Sequence, residues 1–364
     1  MQRVRGALRG GVVVAVAFFL ALSSAFLLSS ASFAGVVVLR GSGATFPEPQ
    51  IQVWISRYQS LNPGIRIEYV GKGSGGGQND FKIGLVDFAG SDPPAKEGYW
   101  RELSERGQPL QFPIVVGAIV VVYNLPGVED LNLTRKALAG IFLGKIRFWD
   151  DPLIVEANPS ARLPHREIIV VHRSDSSGTT KIFTCFLSSA SAEWAEEVGC
   201  GKVVAWPVDS MGRGLGGKGN PGVVAVLEQT PYTIAYTELS YAVKERLKIA
   251  AVENKAGEFV KPTLESVQAA VAQAAAHIPD PSEGYKENLS EILDPPGRGA
   301  YPIVAFSHVL IWKSYGDPEK AQAIKDFFTW VLTEGQEPGN LVPGYFGLPR
   351  EVAEIGLRAV EMVS

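Results

Sequence analysis

The sequence predicts an α/β protein with mainly parallel sheets, because a strand, a polar turn and a helical stretch follow one another three times. In the first case the apolar run Val36-Val37-Val38-Leu39, bounded by Gly35 and Gly41, suits a buried strand. Gly41-Ser42-Gly43-Ala44-Thr45-Phe46-Pro47 follows, and Ile51, Trp54, Ile55 and Tyr58 then recur at helical spacing, with Thr45 expected near the N-cap. In the second, the apolar residues of Ile65 to Val70 alternate and run into the glycines from Gly71 to Gly77, after which Phe81, Ile83 and Leu85 start a helical turn. In the third, Glu167 to Val171 is a strand, His172 to Thr180 a polar turn, and Lys181 to Leu187 an apolar helical stretch. Ligands of such sheets sit beyond the carboxyl ends of the strands.

Other elements set the domain plan. A helix from Pro318 to about Leu332 has Asp317 as its cap, Pro318 in its first turn and Gly335 at its end. Pro279-Asp280-Pro281 and Pro295 to Gly299 mark loops near a domain junction. The apolar run Ile114 to Val120 reads as a strand crossing between domains. The length of 364 residues fits about two domains. The crossing strand permits a discontinuous first lobe of residues 36–113 plus 301–364, with a second lobe of 114–300.

Composition narrows the function classes. With 46% hydrophobic and 20% charged residues the chain is of ordinary globular character. Its formal charge is −4, and losing the first 34 residues, with Arg3, Arg5 and Arg9 but no acid, would take it to −7. An acidic body argues against nucleic-acid binding. A small anion stays admissible, because a few oriented donors set the field of a buried pocket. Residues 1–34 read as a targeting segment: a basic stretch, an apolar run from Val12 to Leu28, and small residues up to Ala34. The segment is either a cleaved export signal or, being long enough to span a bilayer, a retained anchor. The body is therefore expected in the periplasm or at the cell surface. The even pair Cys185 and Cys200 favours one disulfide in an oxidising compartment, with two buried free thiols as the alternative. Four scattered histidines give no metal spacing, so no metal or cofactor is expected.

The chemistry lies in the turns. Thr45, Ser74, Ser177 and Thr179 all stand at loop-to-helix junctions, where unpaired backbone N–H groups and the helix dipole favour an anion. Hydroxyls add donors without charge, and Arg173 adds a permanent positive fork. Each hydroxyl taken singly also fits a plain N-cap role. The run Gly212 to Gly219 has nucleotide-loop spacing of glycines and lysine, but Gly219 stands where Ser or Thr must hold magnesium, which disfavours an NTPase.

Taken in order, Gly41 to Pro47, Gly73-Ser74-Gly75-Gly76, Asp87-Phe88-Ala89-Gly90-Ser91-Asp92 and Arg173 to Thr179 resemble the phosphate-binding proteins of phosphate-specific ABC transporters. The likeness continues through Gln111-Phe112-Pro113, Leu143 to Ile146, Trp149-Asp150-Asp151 and Gly214 to Asn220. The resemblance implies a two-lobed fold of the type II periplasmic-binding-protein kind, its lobes joined by crossover strands and its ligand in the cleft. It implies a monomer that captures inorganic phosphate and passes it to permease subunits, without catalysis. By the same resemblance, Thr45, Phe46, Ser74 and Asp92 bind phosphate from one lobe. Arg173, Ser177, Gly178 and Thr179 bind from the other, the amides of Ser177, Gly178 and Thr179 included, with Asp175 holding Arg173.

Asp92 in an anion pocket makes sense for a ligand that brings a proton, because an ionised carboxylate accepts a hydrogen bond from a P–OH group. With the ordinary aspartate pKa it is expected to be ionised at neutral pH and to repel sulfate. The alternatives are a binding protein for another oxyanion, or a phosphoryl-processing enzyme. The latter needs a nucleophile–base pair or carboxylate cluster that the sequence does not offer. Asn132-Leu133-Thr134 and Asn288-Leu289-Ser290 match glycosylation sequons and assign no function.

Overall fold

A computed structural model describes residues 35–272, 274–285 and 294–364 of the chain. The predicted targeting segment and the sequon at Asn288 lie outside the described residues. Val37–Ser364 cluster as one unit, and everything below concerns that unit.

The elements that position the site alternate as their patterns require. They are β1 (Val37–Gly43), α1 (Glu48–Leu61), β2 (Ile65–Gly71), α2 (Gly73–Lys82), β3 (Phe88–Ser91) and β4 (Pro109–Asn124). After them come β5 (Ile169–Arg173), α3 (Gly178–Ala190), β6 (Gly214–Gly217), α4 (Gly219–Gln229) and β7 (Thr233–Glu238). The chain closes with β8 (Val304–Trp312), α5 (Pro318–Leu332) and α6 (Arg350–Glu361). Helix α1 buries Ile51, Trp54, Ile55 and Tyr58, the residues whose spacing marked it, and α5 is capped by the Asp317 carboxylate, which accepts from the Glu319 and Lys320 amides.

The strands form one sheet in the order β2-β1-β3-β8-β4-β7-β5-β6. Its two wings are parallel, β1 with β2 and β3, and β5 with β6 and β7. Its centre is antiparallel, through β3–β8, β8–β4 and β4–β7, which qualifies the expectation of mainly parallel sheets. The reason lies in β4, a strand of 16 residues that spans roughly 50 Å. It pairs with β8 up to Ala118 and with β7 from Ile119, so one continuous strand carries the chain from wing to wing. The apolar core divides at the same strand. Leu110, Phe112, Ile114 and Val115 pack with Trp54, Phe88, Phe327 and Phe328, whereas Val116 and Ala118 to Tyr123 pack with Trp149, Trp194 and Tyr236.

Helix α2 starts earlier than its pattern suggests. The helix begins at Gly73, inside the glycine run expected to be a turn, while Ile83 and Leu85 lie exposed past its end. Glycine is costly in a helix, and close packing explains its use here. A Cβ on Gly77 would overlap the Gly43 backbone, and one on Gly75 would overlap Ser176. Cys185 of α3 and Cys200 are joined in a disulfide with a Cα–Cα distance of 4.6 Å. The Asn132 side chain donates to the Ala157 carbonyl at 3.2 Å within the fold. Among the described residues no helix is long and apolar enough to cross a membrane, and no group of three or more His, Cys, Asp or Glu is placed to hold a metal.

Gly77→Ala sets two effects against each other. Alanine improves helix propensity by about 1 kcal/mol, but its methyl has no room against strand β1. Overpacking of about 1–3 kcal/mol should win, lowering the urea midpoint. A midpoint equal to or above that of the parent would contradict this account of the glycine run.

Candidate anion-binding site

Strand β5 ends at Arg173, whose side chain is 1% exposed. Its Nε and Nη2 donate to the two carboxylate oxygens of Asp175 at 2.7 and 2.5 Å, and its Nη1 donates to Thr179 Oγ1 at 3.4 Å. Burial works to raise the Asp175 carboxyl. The hydrogen bonds and charge of Arg173, with the Gly219 amide, outweigh it and hold the pKa below the ordinary value. The guanidinium is thereby held in one orientation. Ser177 caps α3, its hydroxyl oxygen accepting from the Thr180 amide at 3.0 Å. The Ser177 amide itself donates to the Lys202 carbonyl at 2.9 Å. That bond ties the first N–H of the turn to the next loop.

From the other wing, Asp92 follows the end of β3 and is 2% exposed. Ser74, in the first turn of α2, donates to Asp92 Oδ2 at 3.2 Å and accepts from the Asp92 amide at 3.2 Å. Ser307 of β8 donates to Asp92 Oδ1 at 3.0 Å. The β8–β4 register slips between Ser307 and His308, a bulge of the kind that re-aims a side chain next to a site. Burial pushes the Asp92 carboxyl up to about 7, against the lowering pull of Ser307, Arg173 and Ser74. The expectation of full ionisation at neutral pH is thereby corrected, since neutral hydroxyls replace water only in part. A second buried carboxyl, Glu238 at the end of β7, is pushed up to about 8, mainly by burial. It is therefore mostly neutral at pH 7, and its Oε2 accepts from the Ser240 amide at 2.8 Å.

The two wings meet closely. The Gly75 amide donates to the Ser176 carbonyl at 3.1 Å, and a Cβ on Gly178 would overlap both Asp92 Oδ2 and Ser74 Oγ. Only glycine permits that approach. Thr45 does not cap α1, whose N-cap is Pro47 without a side-chain bond. Its hydroxyl oxygen instead accepts from the backbone and side-chain N–H groups of Asn220, both at 3.2 Å, and its carbonyl accepts from the Tyr241 hydroxyl at 2.6 Å. Phe46 is fully buried, its carbonyl accepting from the Tyr345 hydroxyl and its ring against Gly117. Thr45, Ser74, Asp92, Arg173, Ser177, Gly178 and Thr179 thus belong to one connected cluster, with Phe46 at its edge. Asn220, Ser307 and Tyr241 were missed as members. Ser307 is a lone hydroxyl within an apolar strand, and Asn220 closes a glycine run set aside for lacking a magnesium ligand.

Chemically, the cluster offers hydroxyl donors, helix N-termini, one fixed guanidinium and one carboxyl that can give or take a proton. His172 lies beside the cluster, its Nδ1 3.1 Å from the Arg173 carbonyl, and offers it no side-chain donor. Its Nε2 is hydrogen-bonded with Asp209 at 2.8 Å and its ring stacks on Trp206. A sheet with two parallel wings, closing such donors on one point, defines a solute-binding protein of the anion-capturing class. The superfamily model described as a PBP superfamily domain matches residues 29–334. The chain is 59% identical to a phosphate-binding protein PstS of Methanocaldococcus jannaschii, over 90% of this chain and 86% of that one. It is 41% identical to the PstS of Pasteurella multocida, over 87% and 88%. The chain belongs to the PstS family of phosphate-binding proteins. Its fold also matches a high affinity periplasmic phosphate-binding protein solved with phosphate, at a TM-score of 0.69 and 23% identity, covering 87% of this chain and 92% of that one.

The raised carboxyls of Asp92 and Glu238 make the stability of the protein depend on pH. Their folded pKa values, about 7 and about 8, exceed unfolded values near 4, so the folded state holds more protons between those limits. Their contribution is complete below pH 4 and is lost as pH rises to 8. Asp92→Asn and Glu238→Gln should each flatten the fall in melting temperature between pH 5 and 8. A slope unchanged in both variants would place the protonation elsewhere.

Proposed function

We propose that this protein captures inorganic phosphate outside the cytoplasm and hands it to the permease of an ABC transporter. It works as a solute-binding component and not as an enzyme. The observation that carries this reading is the buried cage in which Arg173 is held by Asp175 while Asp92, the acceptor within the cage, faces hydroxyl donors. Phosphate needs many donors and, because it keeps a proton, one acceptor.

In this reading Thr45, Phe46, Ser74 and Asp92 bind from one lobe, and Arg173, Ser177, Gly178 and Thr179 from the other. The lobe division falls near residue 113 and again near 300, around the point where β4 exchanges β8 for β7. The protein acts as a monomer, and residues 1–34 direct it across the membrane or hold it there. Closing the lobes surrounds the ion with donors from both sides, which neither lobe supplies alone.

Arg173→Ala should weaken phosphate binding at least about 100-fold in calorimetry, since two charge-assisted bonds and the cation of the cage go together. Near-parent affinity would remove Arg173 from the site.

Selectivity depends on who supplies the shared proton. Phosphate brings one, whereas sulfate brings none and needs a protonated Asp92 to donate to it, a form that the pKa of about 7 makes more populated as pH falls. The affinity of sulfate relative to phosphate should therefore rise from pH 8 to pH 6 in the parent. In Asp92→Asn, where an amide donor replaces the carboxyl, it should be higher and nearly independent of pH. Equal exclusion of sulfate by both proteins at every pH would assign discrimination to cage size.

A further inference from the structure

The run Gly212 to Gly219 is not a nucleotide loop. Residues Gly214–Gly217 form strand β6, and the run ends by placing Asn220 at the start of α4. Gly219 takes the left-handed conformation (φ +68°) there, and its amide donates to Asp175 Oδ1 at 3.0 Å. Asn220 is completely buried. Its backbone N–H and its Nδ2 both donate to Thr45 Oγ1 at 3.2 Å, and Nδ2 also donates to Thr179 Oγ1 at 3.3 Å. Its Oδ1 accepts from the Thr237 hydroxyl at 3.2 Å, which fixes which end of the amide faces the threonines.

A hydroxyl has two lone pairs and one proton. On Thr45, Asn220 fills both lone pairs. On Thr179, Asn220 fills one and Arg173 Nη1 approaches the other at 3.4 Å. Each hydroxyl is left with only its proton to offer. We propose that Asn220 is a positioning residue that turns Thr45 and Thr179, from opposite wings of the sheet, into one-way hydrogen-bond donors toward the bound anion. The role rests on the phosphate-binding reading and deepens it. A freely rotating hydroxyl presents a lone pair to the anion part of the time, whereas a hydroxyl saturated as acceptor does not.

The test is a double-mutant cycle on the full chain, read by equilibrium dialysis of labelled inorganic phosphate, with thermal melting as a check on folding. In the parent background Asn220→Ala should weaken phosphate binding about 10- to 100-fold, the range of a hydrogen bond to a charged group. In a Thr45→Val, Thr179→Val background, where no hydroxyl remains to be oriented, the same change should cost less than about 3-fold if the coupling is as described. An equal loss in both backgrounds would show a general structural role and overturn the proposal, as would no loss in the parent. Should the alanine variant not fold, Asn220→Leu fills the space without polarity and carries the same two expectations. A parent that fails to bind phosphate would remove the functional reading itself. A parent that binds, with Asn220→Ala unaffected, would remove only the role of Asn220.

Discussion

Everything around the site follows from keeping Arg173 and Asp92 out of water at the same place. An ion withdrawn from water costs several kcal/mol unless it is paired and hydrogen-bonded. The arginine meets that demand through the two oxygens of Asp175, which the Gly219 amide steadies in turn. Asp92 is held by the hydroxyls of Ser74 and Ser307 and drawn on by the charge of Arg173, and burial still raises its pKa to about 7. The result is an excess of donors over acceptors, which an anion carrying a proton completes.

The fold provides that arrangement through strand ends. Thr45, Asp92 and Arg173 each lie at or just past the carboxyl end of a strand in a parallel wing, where such sheets hold ligands. The antiparallel centre, built on β4 and β8, joins the wings and brings Ser307 to Asp92 through its bulge. The glycines serve the same end. Gly178 admits Asp92 and Ser74, and Gly75 admits Ser176, so backbones from the two wings approach within hydrogen-bonding distance.

Much of this was legible in the sequence because it is local. The alternation of strand, polar turn and helix marked the strand-to-helix junctions that carry Thr45, Ser74 and Arg173, and the Asp317-Pro318 start of α5 was readable from capping rules alone. Long-range features were not. Nothing near Thr45 in sequence shows that its oxygen is claimed by Asn220, 175 residues away. The start of α2 was hidden because a glycine run reads as a turn until the neighbouring backbone of Gly43 explains it. The ionisation of Asp92 was misjudged for a related reason, since an ordinary pKa assumes water that the closed wings exclude.

The central claim is that Asp92 accepts the proton of a bound phosphate while every other polar contact to the ion is a donor. A crystal structure of the protein with phosphate at high resolution tests it most directly. The account predicts one ligand oxygen about 2.5–2.7 Å from the Asp92 carboxylate, the short distance of an O–H···O⁻ bond. The remaining oxygens should be held by Arg173 and by the hydroxyls of Thr45, Ser177 and Thr179. Phosphate bound away from Asp92, or Asp92 turned out of the cage, would contradict it.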